Sequence, residues 1–263
     1  FRKRGNNETE ALKAVGHIVG RTEFDHAAAL EINPNATYHR VGETMRSPFY
    51  QGSWKIENCI PHSIFLSQGD YPLKGFHYVL RAMPRILEEF PDAVVYVAGA
   101  NLLARDTWKD RIKRCTYGKY LNKLIRRYHL RDHVVMLGKL SAEEMKDRYL
   151  ASNVFVCPSS LENSPNSLGE AMLLGVPCVA SNVGGIPSMM VGGQDGILFT
   201  TGDVDALAAG VIEIFASEAI TRVYSRNAKK HAHENHDSDA NYSALMMMYY
   251  SMTVFAEAEE NVK

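Results

Sequence analysis

Residues 162–170 read Glu162-Asn163-Ser164-Pro165-Asn166-Ser167-Leu168-Gly169-Glu170, and the flanks of this stretch decide the fold. Before it, Val154-Phe155-Val156 forms an apolar strand that ends in the polar turn Cys157-Pro158-Ser159-Ser160. After it, Ala171-Met172-Leu173-Leu174 forms a short apolar helix, stopped by Gly175 and Pro177. A strand that feeds a polar loop and then a helix is where α/β proteins hold phosphorylated ligands. The helix start offers unpaired N–H groups and the positive end of its dipole. Glu170 falls in the first turns of that helix, where the dipole favours a carboxylate, and this alone would account for it. Glu162 falls in the loop beside Asn163, Ser164 and Asn166. Carboxylates and amides exchange hydrogen bonds with neighbouring hydroxyls, which a sugar or a ribose presents. An anion-binding helix start flanked by two such carboxylates fits a nucleotide diphosphate sugar.

Outward from this stretch, strands and helices alternate. Strands are expected over 63–67, 93–98, 133–137, 153–157, 177–181 and 197–199. Helices are expected over 76–90, with Val79, Leu80, Met83, Ile86 and Leu87 on one face and a kink or an uneven turn at Pro84, and over 120–128 and 166–174. Ser141-Ala142-Glu143-Glu144 is a capping box that opens another helix, and Asp203 caps one that runs to Phe215. Residues 100–117 read as a long polar loop, and two further helices follow at 218–234 and 239–256. Residues 16–57 show only a short helix before them, around Glu8–Val15, and no clear periodicity of their own. Alternation of this kind implies a parallel, doubly wound sheet with helices on both faces. Ligands then bind at the carboxyl ends of the strands, so Lys74 and the 162–170 loop can converge on one crevice.

The ordered motifs resemble the C-terminal domain of retaining GT-B glycosyltransferases of family 4. Glu162 and Glu170 with the following Ala171-Met172, Gly175, Pro177 and Val179-Ala180-Ser181 carry the resemblance. So do Val183-Gly184-Gly185-Ile186-Pro187, Gly193-Gln194-Asp195-Gly196-Ile197-Leu198-Phe199, Lys74-Gly75-Phe76 and the strand Val94-Val95-Tyr96-Val97-Ala98. The match spans about residues 62–216 in the family's order. It implies a Rossmann-like half of a GT-B fold over 58–216, the end of an N-terminal domain and its linker over 1–57, and C-terminal helices over 217–263 that pack back toward that N-terminal domain.

The resemblance also implies roles. Lys74 would contact the donor diphosphate, and Glu162 the transferred hexose. Backbone amides around Ser167 and Leu168 would cradle the pyrophosphate, with Asn163, Ser164 and Asn166 at the same loop. Glu170 would hold the ribose hydroxyls, and Gly138-Lys139-Leu140 would meet the base through backbone, with the Lys139 side chain in solvent. Glu162 and Lys74 are thus the expected catalytic pair, by a front-face displacement without an enzyme nucleophile. One departure stands out: many members carry an arginine five residues before the lysine, and this chain has Gly69 there. Another cation, from the rest of the N-terminal domain, is expected to supply the difference. The implied partners are a nucleotide-sugar donor, a carbohydrate or glycoconjugate acceptor and the rest of the N-terminal domain. No cofactor or metal is expected. A non-catalytic binding module and a GT-B-type epimerase or phosphorylase stay open as alternatives.

Composition sets bounds. The 263 residues are 46% hydrophobic with a net charge of −1, an ordinary globular composition that argues against a nucleic-acid binder. Cys59, Cys115, Cys157 and Cys178 lack paired or zinc spacing and read as buried, reduced thiols. No apolar run reaches the roughly 18 residues of a membrane span, so a cytoplasmic location is expected, with any membrane contact made through the N-terminal domain. Three features have plainer readings than their motifs suggest. Asp203-Val204-Asp205 resembles an Asp-x-Asp metal motif but reads as a helix cap. His231, His233 and His236 read as a solvated polar helix end. Met246-Met247-Met248-Tyr249-Tyr250 reads as helix core or an interdomain surface.

Overall fold

A computed structural model describes residues 2–103 and 116–260, with side chains over 3–103 and 116–253. Most of the expected 100–117 loop, and Cys115, lie outside the described residues. The chain forms two compact units: residues 1–44 with 233–263, and residues 45–232. Residues 45–57 and 217–232 therefore pack with the larger unit rather than outside a 58–216 domain.

The smaller unit holds α1 (Arg2–Ala14), β1 (His17–Gly20), α2 (Glu23–Ile32) and β2 (Thr37–Arg40). β1 and β2 pair in parallel, from His17↔Thr37 to Gly20↔Arg40. These elements correct the reading of 16–57 as aperiodic. Each strand has only four residues, and Ile18, Ala29 and Ala36 are the buried apolar residues around which Leu12 and Tyr38 pack. So few apolar positions cannot display a period. α2 is nonetheless well signalled, because Thr22 and Asp25 form a reciprocal capping box.

The larger unit holds β3 (Ile60–Leu66), α3 (Phe76–Glu89), β4 (Val94–Ala98), α4 (Thr116–Arg127), β5 (Val134–Gly138), α5 (Ala142–Leu150) and β6 (Ser152–Cys157). α6 (Asn166–Leu174), β7 (Cys178–Ser181), β8 (Ile197–Phe199), α7 (Val204–Ala216) and α8 (Glu218–Asn235) follow, the last residues of α8 passing into the smaller unit. α9 (Ser238–Glu260) completes that smaller unit. The six strands are parallel in the order β5-β4-β3-β6-β7-β8. This is the doubly wound Rossmann-like order, in which the chain runs outward from β3 through β4 and β5 and then returns to lay β6 on the other side of β3. The topological switch point lies between β3 and β6.

Side-chain alternation builds a core on each face. Ile64, Leu66, Val154, Val156 and Val179 point to one side, where Val79, Leu80 and Met83 of α3 and Leu207 and Val211 of α7 cover them. Phe65, Phe155, Cys178 and Ala180 point to the other, against Tyr149 of α5 and Leu173 of α6. The Phe65 and Tyr149 rings meet edge-on at 5.0 Å. Both faces are covered, so the strands are apolar almost throughout.

Several local expectations shift. α4 begins at Thr116, within the expected polar loop. Pro84 lies inside α3, which runs on to Glu89. Ser141 and Glu144 form the capping box, at 3.3 and 2.7 Å. Asp203 accepts from the Ala206 amide at 2.9 Å, as an N-cap does. Of the three histidines His233 is exposed, but His231 and His236 are not solvated. His231 Nδ1 lies 2.6 Å from Asp195 Oδ2, and the buried His236 lies 2.8 Å from the Glu43 carbonyl. On α9, Met248 is buried while Met247, Tyr249 and Tyr250 are exposed. No helix among the described residues is long and apolar enough to cross a membrane.

Candidate functional site

The carboxyl ends of the strands carry the expected residues, and their loops are tied together in sheet order. The Gly99 amide donates to the Gly138 carbonyl (2.8 Å), joining the loops after β4 and β5. The Gly69 amide donates to the Ala98 carbonyl (3.1 Å), joining those after β3 and β4. The Ser160 amide donates to the Leu73 carbonyl (2.8 Å), bridging β3 and β6 across the switch point. The Gly185 amide donates to the Glu162 carbonyl (3.2 Å), bridging β6 and β7.

Two glycines allow this closeness. Gly75 ends the short turn Pro72–Lys74 in the left-handed region at φ +75°, and a Cβ there would stand 1.9 Å from the Pro158 carbonyl oxygen. Gly184, at φ +53°, would put a Cβ 1.8 Å from the Glu162 carbonyl oxygen. Only glycine serves at such positions. The glycine loop after β7 thus presses directly on the main chain of Glu162.

Lys74 and Glu162 meet. Lys74 Nζ lies 2.5 Å from Glu162 Oε1, with the side chains 30% and 13% exposed. The buried Ser159 hydroxyl donates to the same oxygen at 2.7 Å. Ser159 is itself fixed, since Ser181 Oγ donates to its carbonyl at 2.6 Å. The next element is α6, whose N-cap position is Pro165. Proline offers no side-chain acceptor to the first turn. The Leu168 amide turns inward to the Pro165 carbonyl (2.9 Å), so the Leu168 half of the expected cradle is engaged within the helix start. The Ser167 amide bonds to no group among the described residues, and the Ser167 carbonyl accepts from Tyr149 Oη at 2.8 Å. Leu168 is buried, Asn163 and Asn166 are exposed, and Ser164 Oγ lies 3.7 Å from Met189 Sδ.

Glu170 is 3% exposed and carries a partner that the sequence did not reveal. Arg46 approaches its Oε1 with Nη2 at 2.7 Å and Nε at 2.8 Å. The Arg46 guanidinium also lies 4.8 Å from the centre of the Phe49 ring. Arg46 precedes β3 in a segment read as linker, and 124 residues separate it from Glu170. Nothing local in the sequence signals this pairing. It places an extra cation beside the helix start, although Gly69 lacks one. Gly69 has a packing reason of its own: a Cβ there would stand 2.3 Å from Val97 Cγ1.

Gly138 ends β5 at φ +77°, and Lys139 is exposed while Leu140 packs against the core. These residues lie at the same end of the sheet, two strands from β3. Below the crevice, burial and the nearby Glu162 push the Cys157 thiol up to about 12. Burial likewise raises Tyr149, with Glu170 adding to it. Among the described residues no three His, Cys, Asp or Glu side chains cluster to hold a metal ion.

Sheet order and the switch point between β3 and β6 define a doubly wound, Rossmann-like domain. The chain belongs to the group 1 glycosyl transferases, whose family model matches residues 62–231. It is 31% identical over 166 residues to an uncharacterized glycosyltransferase of Methanocaldococcus jannaschii, covering 63% of this chain and 39% of that protein. It is 26% identical over 179 residues to the GDP-mannose-dependent alpha-(1-6)-phosphatidylinositol monomannoside mannosyltransferase of Mycolicibacterium smegmatis, covering 65% of this chain and 41% of that protein. The Anabaena protein HepE, solved in complex with UDP-glucose, superposes with a TM-score of 0.75 at 16% identity, covering 96% of this chain and 68% of that one. The fold is therefore that of the GT-B glycosyltransferases. The chain spans about two fifths of the length of the curated relatives it matches, 38% and 39% for two of them.

Proposed function

We propose that this chain supplies the donor-binding part of a retaining glycosyltransferase, which moves a sugar from a nucleotide diphosphate to a hydroxyl acceptor in polysaccharide or glycoconjugate assembly. The observation that carries the reading is the meeting of Lys74 and Glu162 at the switch point, beside the open Ser167 amide of α6.

In this reading the diphosphate lies between Lys74 and the start of α6. The ammonium and the helix dipole stabilise the charge that grows as the nucleoside diphosphate leaves. Arg46 adds a cation near Glu170, and no metal enters the scheme. Glu162, held by Ser159, presents its carboxylate to the sugar hydroxyls, and Glu170 meets the ribose. The sugar–phosphate bond breaks and the acceptor oxygen bonds to the same face of the anomeric carbon. The acceptor proton passes to the departing phosphate. Glu162 then positions the sugar rather than attacking it, so the protein's contribution is orientation and charge. Relatives named above act on or bind GDP- and UDP-sugars, and titration decides the base for this chain.

The test is sugar transfer by the full-length protein, with the product's anomeric configuration read by NMR. The reading expects retention, and loss of transfer in Lys74→Ala and Glu162→Ala. Inversion would overturn the mechanism. Unchanged transfer in both variants would overturn the site. The chain alone is expected to bind donor without efficient transfer.

A further inference from the structure

The larger unit has a second crevice, at the other end of its sheet. Trp54 marks the place: its indole N–H donates to the carbonyl of Ser152, the first residue of β6, and its amide donates to the Leu174 carbonyl at the end of α6. The crevice beside it, about 550 Å³, is lined by Lys55, Arg222, Ser225, Arg226, Lys229 and Lys230. It therefore faces the amino ends of the strands, whereas Lys74 and Glu162 follow their carboxyl ends. Arg222, Arg226, Lys229 and Lys230 recur at helical spacing along one side of α8.

The charge balance is lopsided. Five cations line the crevice in a chain whose net charge is −1. Arg222 is engaged by two carboxylates, Glu57 and Glu218, at 2.5 and 2.6 Å. Lys55 and Arg226 pair with no carboxylate among the described residues. Lys229 is half-buried, with its Nζ donating to the Gly52 carbonyl at 2.9 Å, and burial pushes its ammonium below the ordinary lysine range. A desolvated ammonium flanked by further cations favours an anion strongly. The Ser225 hydroxyl adds a donor in the same wall. Ammonium, guanidinium and hydroxyl donors together suit tetrahedral phosphate oxygens.

We propose that this crevice binds a phosphate group, carried by a soluble phosphorylated metabolite or by an anionic lipid head group. The site is separate from the donor crevice and does not rest on the glycosyltransferase reading.

The experiment uses the chain with Lys74→Ala, so that the donor crevice contributes little, with and without the added pair Lys55→Ala and Arg226→Ala. Both added positions are exposed, which leaves the core untouched. Inorganic pyrophosphate is titrated by calorimetry. Separately, the proteins are sedimented with phosphatidylcholine vesicles with and without phosphatidylglycerol. Binding that the added pair weakens at least about tenfold, and that salt suppresses, is the expected result. An effect on pyrophosphate identifies a soluble ligand, and an effect confined to phosphatidylglycerol vesicles identifies a lipid head group. Absence of binding to both probes, or equal binding with and without the added pair, overturns the proposal. Should the combined variant fold poorly, Lys55→Gln and Arg226→Gln are measured singly against the same two outcomes.

Discussion

Gly184→Ala is the substitution whose consequence follows most directly from backbone geometry. An alanine at φ +53° costs about 1–2 kcal/mol in the left-handed region alone. Its Cβ would also stand 1.8 Å from the Glu162 carbonyl oxygen, whereas real Cβ contacts essentially never fall below 3.0 Å. The two main chains must separate by at least about 1.2 Å, the difference of those distances. Glu162 and Lys74 meet at 2.5 Å, so a shift of that size breaks their contact. A displacement of about 1 Å at reacting groups costs on the order of 100-fold in rate. Gly193→Ala is the control: its φ is +77°, and a Cβ there meets nothing within 4 Å. It carries the backbone cost without the collision, a loss of roughly 2–4 °C per kcal/mol for a chain of this size. Thermal unfolding and donor titration of both variants form the assay. Gly184→Ala should melt several degrees lower than Gly193→Ala and lose donor affinity that Gly193→Ala keeps. Equal melting and equal affinity would refute the claim that Gly184 sets the position of Glu162.

Further outcomes follow from other contacts. A double-mutant cycle of Arg46→Ala with Glu170→Gln should show a coupling of about 1 kcal/mol, small because Arg46 is half exposed, and strict additivity would deny the pair. Asp203→Ala should cost about 1 kcal/mol of stability and leave donor binding unchanged, whereas loss of transfer in a fully folded variant would point back to a metal role. Cys157, pushed up to about 12, and the buried Cys178 are neutral thiols near neutral pH. Alkylation read by peptide mass spectrometry should therefore reach them only on unfolding, and prompt native labelling of Cys157 would contradict its burial.

Much of the larger unit was legible because its strands are buried on both faces and its helices carry local punctuation. Asp203 and the Ser141–Glu144 box are read from a few adjacent residues, and both caps occur where the sequence puts them. The boundaries of α6, β8 and their neighbours depend on apolar runs closed by Gly and Pro, which are likewise local. β1 and β2 were hidden because four-residue strands around three buried residues carry no period. His231 and His236 looked solvated because their partners, Asp195 and the Glu43 carbonyl, come from remote parts of the chain. Arg46 was hidden for the same reason. Gly69 was legible as a departure from the family pattern but not as a packing requirement, since Val97 meets it only once β4 lies beside β3.

The most direct test of the donor site is calorimetric titration of this chain with UDP, GDP and ADP, and with their sugars, without added metal. Saturable binding of one diphosphate is the predicted result, weakened at least about tenfold by Lys74→Ala and by Glu170→Ala. Binding that both variants leave intact would contradict the donor site, as would failure of every nucleotide to bind.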